Sequence, residues 1–271
     1  MKTRIIVAAI GIPVLLLVIF FAPLIVFGCL VGAIAACSAY ELMRCAGVKA
    51  ERRMLIYGVV FAAAVPVITA LAGNTLNAPL VFLLFALVFC ELMLSFNKET
   101  ALSFETAAKV LFAGGVMPLL LSALVRLGQR EHGTLYILLP FVAAFSSDSG
   151  AYFIGISLGK HRLAPRLSPK KSIEGSVGGF ICAIGAMLIY GLILKSLGYQ
   201  ANLPVMAVYG LLGSLACQLG DLSFSAVKRL YGVKDYGNLL PGHGGALDRF
   251  DSMYFTAPMI EILVLWVPAI F

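Results

Sequence analysis

The segment Ser225–Asp251 reads SAVKRLYGVKDYGNLLPGHGGALDRFD and gathers charged side chains and glycines within a mostly apolar chain. Seven of its side chains are charged, and a histidine stands among glycines. The charged side chains are Lys228, Arg229, Lys234, Asp235, Asp248, Arg249 and Asp251. Because 61% of the chain is hydrophobic, acids, bases and flexible backbone gathered in one segment indicate that a charged ligand is handled there.

The apolar run before this segment predicts a helix that leads into it. On a helix, Asp221, Ser225, Lys228 and Arg229 fall close to one face, because they are spaced by four, seven and eight residues. We therefore expect Asp221 to lie one turn deeper in the membrane than Ser225 and two turns deeper than the bases.

Composition places the chain among membrane proteins. Its 271 residues include only 12% charged side chains, and the mean hydropathy is +0.99. A soluble domain does not tolerate so apolar a surface. The fold class predicted is an all-α polytopic integral membrane protein.

A spanning helix needs about 20 mostly apolar residues. About nine such segments occur, at roughly 5–22, 24–43, 54–72, 77–96, 106–126, 134–156, 175–195, 203–226 and 253–270. The first segment is interpreted as a retained helix and not a cleaved signal peptide, because Phe27 fits a cleavage site poorly and another apolar run follows at once.

Basic residues between the segments predict the orientation. Clusters of Lys and Arg occupy the N-terminus and the second, sixth and eighth connections, and they alternate with connections that carry little charge. By the positive-inside rule, the N-terminus is expected in the cytoplasm and the C-terminus outside. The predicted organisation is N-terminal helices over 1–130 and catalytic helices over 131–271, with cytoplasmic loops at 157–175 and 227–252.

Neither the cysteine spacing nor the net charge predicts a functional site. The six cysteines lie mostly within apolar runs and lack the spacing of a zinc site, so they are interpreted as small buried side chains. The net charge of +7 is attributed to cytoplasmic lysines and arginines. No nucleic-acid partner is expected.

Five acids fall within predicted membrane segments: Glu41, Glu91, Asp148, Asp221 and Glu261. A charge at the centre of a span costs roughly 2.5–3.5 kcal/mol on insertion scales, so each acid needs a reason. Glu41 and Glu91 lie near helix ends, where snorkelling or a bonded pair suffices. Asp148 stands in FSSDSGAYF, and a helix that polar faces protein or water.

The connection after Asp148 is basic and reads GKHRLAPRLSPKKSIEGSVGG. An ordinary cytoplasmic loop with affinity for anionic lipid headgroups is one interpretation. The alternative is phosphate binding by Lys170 and Lys171 beside a glycine-rich helix N-terminus. The second is favoured because topology places this connection on the same side as Ser225–Asp251.

Converging aspartates predict a metal ion. Two carboxylates about 4 Å apart repel by roughly 4 kcal/mol at an effective dielectric near 20, so protons or cations must neutralise them. Oxygen ligands without a Cys or His cluster favour Mg²⁺. Metal and bases together suit a polyphosphate. His243 lies in PGHGG, which is either an anion-binding turn or a turn with an incidental histidine.

These residues resemble the phosphatidate cytidylyltransferases, or CDP-diacylglycerol synthases. The signature of that family is Ser, two residues, Lys-Arg, four residues, Lys-Asp, then Pro-x-His-Gly-Gly and Asp-Arg-x-Asp. The matching positions are Ser225, Lys228, Arg229, Lys234, Asp235, Pro241, His243, Gly244, Gly245, Asp248, Arg249 and Asp251. DSGAYFIG and LAPRLSPKKSIEG also look like a region of the family. Ala246, Ser149, Ser172 and Ile173 depart from the usual residues without removing a charge.

The resemblance implies transfer of a cytidylyl group from CTP to phosphatidate in the cytoplasmic (inner) membrane. It implies a centre that depends on Mg²⁺ and allows a second cation. The expected catalytic residues are Asp221, Lys228, Arg229, Asp235, His243, Asp248 and Asp251. The expected nucleotide-binding residues are Ser225, Lys228, Arg229, Lys234, Gly244, Gly245, Arg249, Lys170 and Lys171. The expected metal ligands are Asp221, Asp248 and Asp148, with Glu174 placed nearby.

Two other functions are weighed against this one. A CDP-alcohol phosphotransferase also works on cytidine-diphosphate lipids, but its spaced pattern of DG, AR, G and paired Asp is not found in the sequence. An ion-coupled secondary transporter would use Asp148 and Asp221 as ion sites, but transporters rarely need a basic cytoplasmic segment. A homodimer is compatible with the sequence, which does not decide the oligomeric state.

Overall fold

The computed structural model describes residues 2–48, 51–97, 101–237 and 244–270. Within them, seven helices or helical runs are long and apolar enough to cross a membrane: Leu24–Cys45, Arg52–Ala72, Asn77–Ser95, Phe104–Gly128, Gly133–Leu158, Ile173–Ser196 and Leu203–Leu230. These match seven of the nine predicted segments. The helical class and the membrane character predicted from composition are therefore confirmed.

The chain divides into two compact units, of which the first comprises Met1–Gln129 and Tyr231–Phe250. Its helices are α1 (Lys2–Phe21), α2 (Leu24–Cys45), α3 (Arg52–Ala72), α4 (Asn77–Ser95), α5 (Phe104–Leu111), α6 (Met117–Leu121), α7 (Ala123–Gly128) and the short α11 (Leu247–Phe250). The fifth predicted segment is not one regular helix, because a π-helical segment over Phe112–Val116 separates α5 from α6.

Small residues bring α2 and α3 together in the first unit. A Cβ added at Gly32 would lie 2.6 Å from the carbonyl oxygen of Ala63, so the two backbones pass closer than any side chain would allow. Without a hydrophobic driving force in lipid, such close backbone packing is a main source of helix association. The contact fixes α2, whose last turns carry Glu41.

The second unit comprises Arg130–Leu230 and Asp251–Phe271. Its elements are α8 (Gly133–Leu158), β1 (Arg162–Ala164), β2 (Ser168–Ser172), α9 (Ile173–Ser196), α10 (Leu203–Leu230) and α12 (Met253–Trp266). The predicted connection at 157–175 is more ordered than a loop, since β1 and β2 pair antiparallel with Arg162 opposite Ser172. Pro169 is tolerated because both strands of a two-stranded sheet are edges.

Hydrogen bonds between polar side chains join α8, α9 and α10. Ser147 of α8 lies 2.8 Å from Ser214 of α10, oxygen to oxygen. The Gln218 side-chain amide donates to the Ser176 carbonyl at 3.1 Å and to Ser214 at 3.3 Å. Because these groups are paired within the unit, the three helices keep polar atoms in an apolar segment without exposing them to lipid.

The last predicted segment is shorter than expected. The helix α12 has 14 residues, which at 1.5 Å per residue extends about 21 Å against the roughly 30 Å of a hydrocarbon core. After it, Ile270 forms an isolated bridge with Ala201, so the end of the segment pairs as extended backbone. The division of catalytic roles between 1–130 and 131–271 stays a prediction.

Candidate functional site

Three carboxylates of the second unit lie within electrostatic range of one another, and we call them the acid group: Asp148, Asp221 and Asp251. Asp148 lies on α8, Asp221 on α10, and Asp251 just before α12. The structure brings Asp148 and Asp221 near each other, and their shared role as metal ligands stays a prediction. Carboxylates within electrostatic range of one another favour a cation nearby, because its charge offsets their mutual repulsion.

Asp221 has two polar side-chain partners. One carboxylate oxygen, Oδ2, forms an ion pair with Nζ of Lys171 at the end of β2. The other, Oδ1, accepts a hydrogen bond from the Ser225 hydroxyl at 3.2 Å. Because Ser225 is four residues further along α10, the predicted alignment of Asp221 and Ser225 on one helix face is confirmed.

Asp251 is the most enclosed member of the acid group, with only 8% of its surface exposed. Burial, together with the charge of Asp221, raises the pKa of Asp251 to about 7, while the charge of Lys228 opposes both. Its Oδ1 accepts a hydrogen bond from the backbone amide of Ser252 at 2.7 Å. The carboxyl is therefore held next to charge and close to the main chain at the start of α12.

The two bases at the end of α10 differ in exposure. Lys228 is buried, with 9% of its surface exposed, and its positive charge acts on Asp251. Arg229 is exposed and its Nε donates to the Leu167 carbonyl, in the turn between β1 and β2, at 3.2 Å. Lys228 thus lies within reach of the acid group, whereas Arg229 links α10 to the hairpin.

The hairpin separates Lys170 from Lys171. Adjacent residues of a strand point to opposite faces, and the Lys171 ammonium contacts Asp221 while Lys170 is exposed. The structure therefore brings Lys171 to the acid group and does not do the same for Lys170.

Glu174 contacts the backbone just before β1, where the hairpin of β1 and β2 begins. Its carboxylate accepts hydrogen bonds from the backbone amides of Lys160 and His161, and its Oε1 lies 2.6 Å from Nδ1 of the His161 ring. Ser172 caps the N-terminus of α9, the helix that carries Glu174, by accepting a hydrogen bond from the Gly175 amide at 3.1 Å. The contacts of Glu174 indicate that it positions the hairpin carrying Lys171.

Asp248 of the first unit contacts backbone. Its Oδ2 accepts hydrogen bonds from the amides of Tyr236 at 2.8 Å and Gly245 at 3.0 Å. Gly244 has φ +88°, a left-handed conformation that glycine adopts without strain. The carboxylate therefore closes the turn that leads into α11.

Glu41 is a residue of this region that the sequence analysis did not assign to the site. It is 6% exposed, and its two oxygens accept hydrogen bonds from the amides of Ala246 at 3.0 Å and Leu247 at 2.9 Å. Neither of the predicted reasons, snorkelling or a side-chain pair, describes these contacts. A cavity of about 500 Å³ in the first unit is lined by Glu41 together with Cys37, Tyr40, Arg44, Asp235, Tyr236 and Gly237.

The remaining predicted residues divide between exposed positions and positions outside the described residues. Lys234, Asp235 and Arg249 are exposed in the first unit. Pro241 and His243 lie outside the described residues, so the predicted role of His243 stays a prediction. Asp221 belongs to the second unit and Asp248 to the first, so their pairing as metal ligands stays a prediction as well.

The chemistry of the acid group fits a magnesium ion. Among the described residues, no three His, Cys, Asp or Glu side chains are grouped closely enough to hold a metal ion by themselves. Magnesium usually takes only one or two protein carboxylates, and its other ligands are water and substrate phosphate oxygens. Asp221, with Asp148 near it, meets that smaller requirement.

Comparison with known proteins gives a match over nearly the whole chain. The model of the cytidylyltransferase family matches residues 2–267. Over 138 residues, the chain is 47% identical to a phosphatidate cytidylyltransferase of Bacillus subtilis (strain 168), which covers 49% of this chain and 49% of that protein.

Two further relatives have the same printed name. Identity is 43% over 136 residues with the protein of Staphylococcus haemolyticus and 44% over 136 residues with that of Staphylococcus aureus (strain COL). Each alignment covers 50% of this chain and 51% of the relative. The chain thus spans about half the length of the curated relatives that it matches.

Proposed function

Since the chain belongs to the cytidylyltransferase family, we propose that it transfers a cytidylyl group from CTP to phosphatidate, giving CDP-diacylglycerol and pyrophosphate. The relatives named phosphatidate cytidylyltransferase support this choice of substrates. The observation that carries the proposal is the acid group with Lys171 and Lys228 beside it, because nucleotidyl transfer needs both kinds of charge at one place.

The proposed topology has nine spans, the N-terminus in the cytoplasm and the C-terminus outside. An odd number of spans agrees with termini on opposite sides. The two further spans proposed are α1, and α12 together with the extended residues 267–270 that follow it. The proposed location is the cytoplasmic (inner) membrane, with the active site facing the cytoplasm. The alternation of basic connections supports this orientation.

The proposed reaction joins two anions. An oxygen of the phosphatidate phosphate attacks the α-phosphorus of CTP, and the bond from that phosphorus to the β-phosphate bridging oxygen breaks. The electron pair leaves with pyrophosphate. Because the nucleophile is already an anionic oxygen, the step requires no proton transfer from a side chain, and neutralisation of charge dominates the catalysis.

The side chains of the second unit divide that task. Lys171 and Lys228 would attract phosphate oxygens, and Ser225 holds the Asp221 carboxylate in orientation through its hydrogen bond. Asp221 and Asp148 would hold Mg²⁺, which when bound supplies Lewis-acid neutralisation of the phosphates. Asp248 is proposed as a third ligand, because the sequence motif predicts it. A second cation and a homodimer remain parts of the proposal.

The deciding experiment measures both products. Purified protein is incubated in mixed micelles with phosphatidate, Mg²⁺ and CTP labelled at the α-phosphorus. It should form labelled liponucleotide and an equal amount of unlabelled pyrophosphate. Chelation of Mg²⁺ should stop the formation of both products. A CDP-alcohol phosphotransferase would need a cytidine-diphosphate lipid as substrate, and a transporter would release no pyrophosphate. Absence of liponucleotide from the wild-type protein under these conditions would refute the proposal.

A further inference from the structure

We infer that Glu41 is a positioning residue for the reaction: through two backbone hydrogen bonds it holds the segment Gly244–Asp248 of the motif in place. The inference rests on the proposed function, because it assigns to that reaction a residue on α2, about two hundred residues away along the chain from the segment it holds. Both Glu41 and the segment belong to the first unit.

The geometry is specific. Oε1 accepts from the Ala246 amide and Oε2 from the Leu247 amide, so each carboxylate oxygen has its own donor. These amides lie at the start of α11, which has only four residues, so few bonds of its own hold its first turn. An ionised carboxylate forms hydrogen bonds about twice as strong as a neutral acceptor does. Glu41 therefore supplies an attachment that α11 lacks.

Two glycines show how closely the main chain approaches Glu41. A Cβ built on Gly237 would lie 2.6 Å from Oε1 of Glu41, and a Cβ on Gly245 would overlap its carboxylate. A side chain at either position would displace the carboxylate or the backbone. The second glycine of the His-Gly-Gly turn is thus explained by contact with Glu41.

The same segment carries Asp248, whose Oδ2 accepts from Gly245 and Tyr236. Two carboxylates thus hold the turn, Asp248 from within it and Glu41 from α2. If Glu41 is lost, the Ala246 and Leu247 amides lose their acceptor and the turn can shift. A displacement near 1 Å of a group that takes part in catalysis can lower the rate about 100-fold, so the effect on turnover exceeds what loss of one contact would suggest.

The chain offers a matched control in Glu91. Glu41 and Glu91 each begin the triplet Glu-Leu-Met near the end of a membrane helix. Glu91 instead accepts from the Tyr57 hydroxyl at 3.0 Å and from Arg53 at 3.3 Å, and neither of these partners belongs to the motif. Any effect of removing an acid from a helix end in general would appear in both variants.

The test compares Glu41→Gln with Glu91→Gln by kinetics and by hydrogen–deuterium exchange in detergent micelles. Gln keeps the shape of Glu but turns an NH₂ group toward one backbone amide, so we expect kcat to fall about 10-fold or more while the KM for phosphatidate changes less than about 2-fold. Amides in a peptide covering 245–250 should exchange faster in Glu41→Gln. Glu91→Gln should change neither quantity.

Glu41→Asp provides the second variant, because it keeps the charge and only shortens the reach. It should recover part of the kcat lost in Glu41→Gln, which a requirement for shape alone would not predict. An unchanged kcat in Glu41→Gln would overturn the inference. The inference would also be overturned if both Gln variants lost activity only in proportion to the loss of folded protein. A wild-type protein that makes no liponucleotide would refute the proposed function and the inference together, whereas normal wild-type turnover with an unaffected Glu41→Gln would refute the inference alone.

Discussion

Asp221 in the second unit is neutralised in a different way from Glu41 and Asp248 in the first unit. In the second unit, Asp221 faces a lysine ammonium and a serine hydroxyl, and other acids lie within electrostatic range. In the first unit, Glu41 and Asp248 each accept two hydrogen bonds from backbone amides. A carboxylate paired with a side-chain cation can exchange that partner for a bound ion, whereas one bound to amides fixes the path of the main chain.

This difference separates a carboxylate that would act on ligands from carboxylates that hold the main chain in place. Amide partners satisfy a buried carboxylate without adding a counter-charge. An ammonium partner adds a counter-charge that is itself useful when a phosphate arrives. We therefore expect substitution of Asp221 to act on ligand binding and charge, and substitution of Glu41 to act through the position of the backbone.

The largest effect is expected for Asp221→Asn. Asn keeps the size of the side chain but removes the charge that pairs with Lys171 and would hold Mg²⁺. Loss of metal-dependent charge neutralisation should lower kcat about 1,000-fold or more, with the protein still folded. Steady-state turnover of CTP to liponucleotide measures the effect, and the melting temperature in detergent is the control. Turnover within 10-fold of the wild type would remove Asp221 from the proposed metal site.

Asp248→Asn distinguishes a ligand from a purely structural acid. If Asp248 is also a metal ligand, as the motif predicts, turnover per folded molecule should fall about 100-fold. If it only bonds to the Tyr236 and Gly245 amides, the variant should lose stability while its folded fraction keeps normal turnover. Activity normalised to the fraction that elutes as folded protein separates these results. The second result would mean that Asp248, like Glu41, only holds the main chain of the turn in place.

Lys171→Ala and Lys170→Ala form a matched pair on β2. Lys171 contacts Asp221 and Lys170 is exposed, although the two lysines could not be distinguished from the sequence. Removing one charge-assisted phosphate contact should raise the KM for CTP about 10-fold or more in Lys171→Ala. Lys170→Ala should produce a smaller increase, measured by initial rates over a range of CTP concentrations. Equal increases would show that both lysines act only through general positive charge.

Helices were predictable from the sequence wherever apolar length alone decides them. The predicted segment 24–43 corresponds to Leu24–Cys45, and 77–96 to Asn77–Ser95. The hairpin at Arg162–Ser172 was not predicted, because its strands are short, charged and contain proline, which are the features of a loop. The π-helical segment at Phe112–Val116 was also missed, since it continues the apolar pattern on both sides.

The candidate site was predictable where side chains pair with side chains. Asp221 and Ser225 followed from helical spacing, and the Ser168–Ser172 region was recognised by its lysines. Glu41 could not be found in this way, because its partners are backbone amides, which every residue except proline has and no residue type signals. The glycines at 237 and 245 were the available signal, and glycine has too many other uses to identify a buried acid.

The smallest effect is expected for Glu91→Gln. Glu91 belongs neither to the acid group nor to the pair Glu41 and Asp248, so it tests whether the kind of partner decides the effect. Arg53 is 78% exposed at its side chain, so its pair with Glu91 is screened by solvent, and such pairs contribute about 0–1 kcal/mol. The Gln carbonyl can still accept from the Tyr57 hydroxyl, so the free energy of unfolding should fall by about 1 kcal/mol or less, measured as denaturant-dependent loss of helicity in micelles. A larger loss would mean that side-chain pairing, and not only backbone attachment, fixes the helix ends of the first unit. The contrast between Glu41 and Glu91 would then no longer follow from the kind of partner each has.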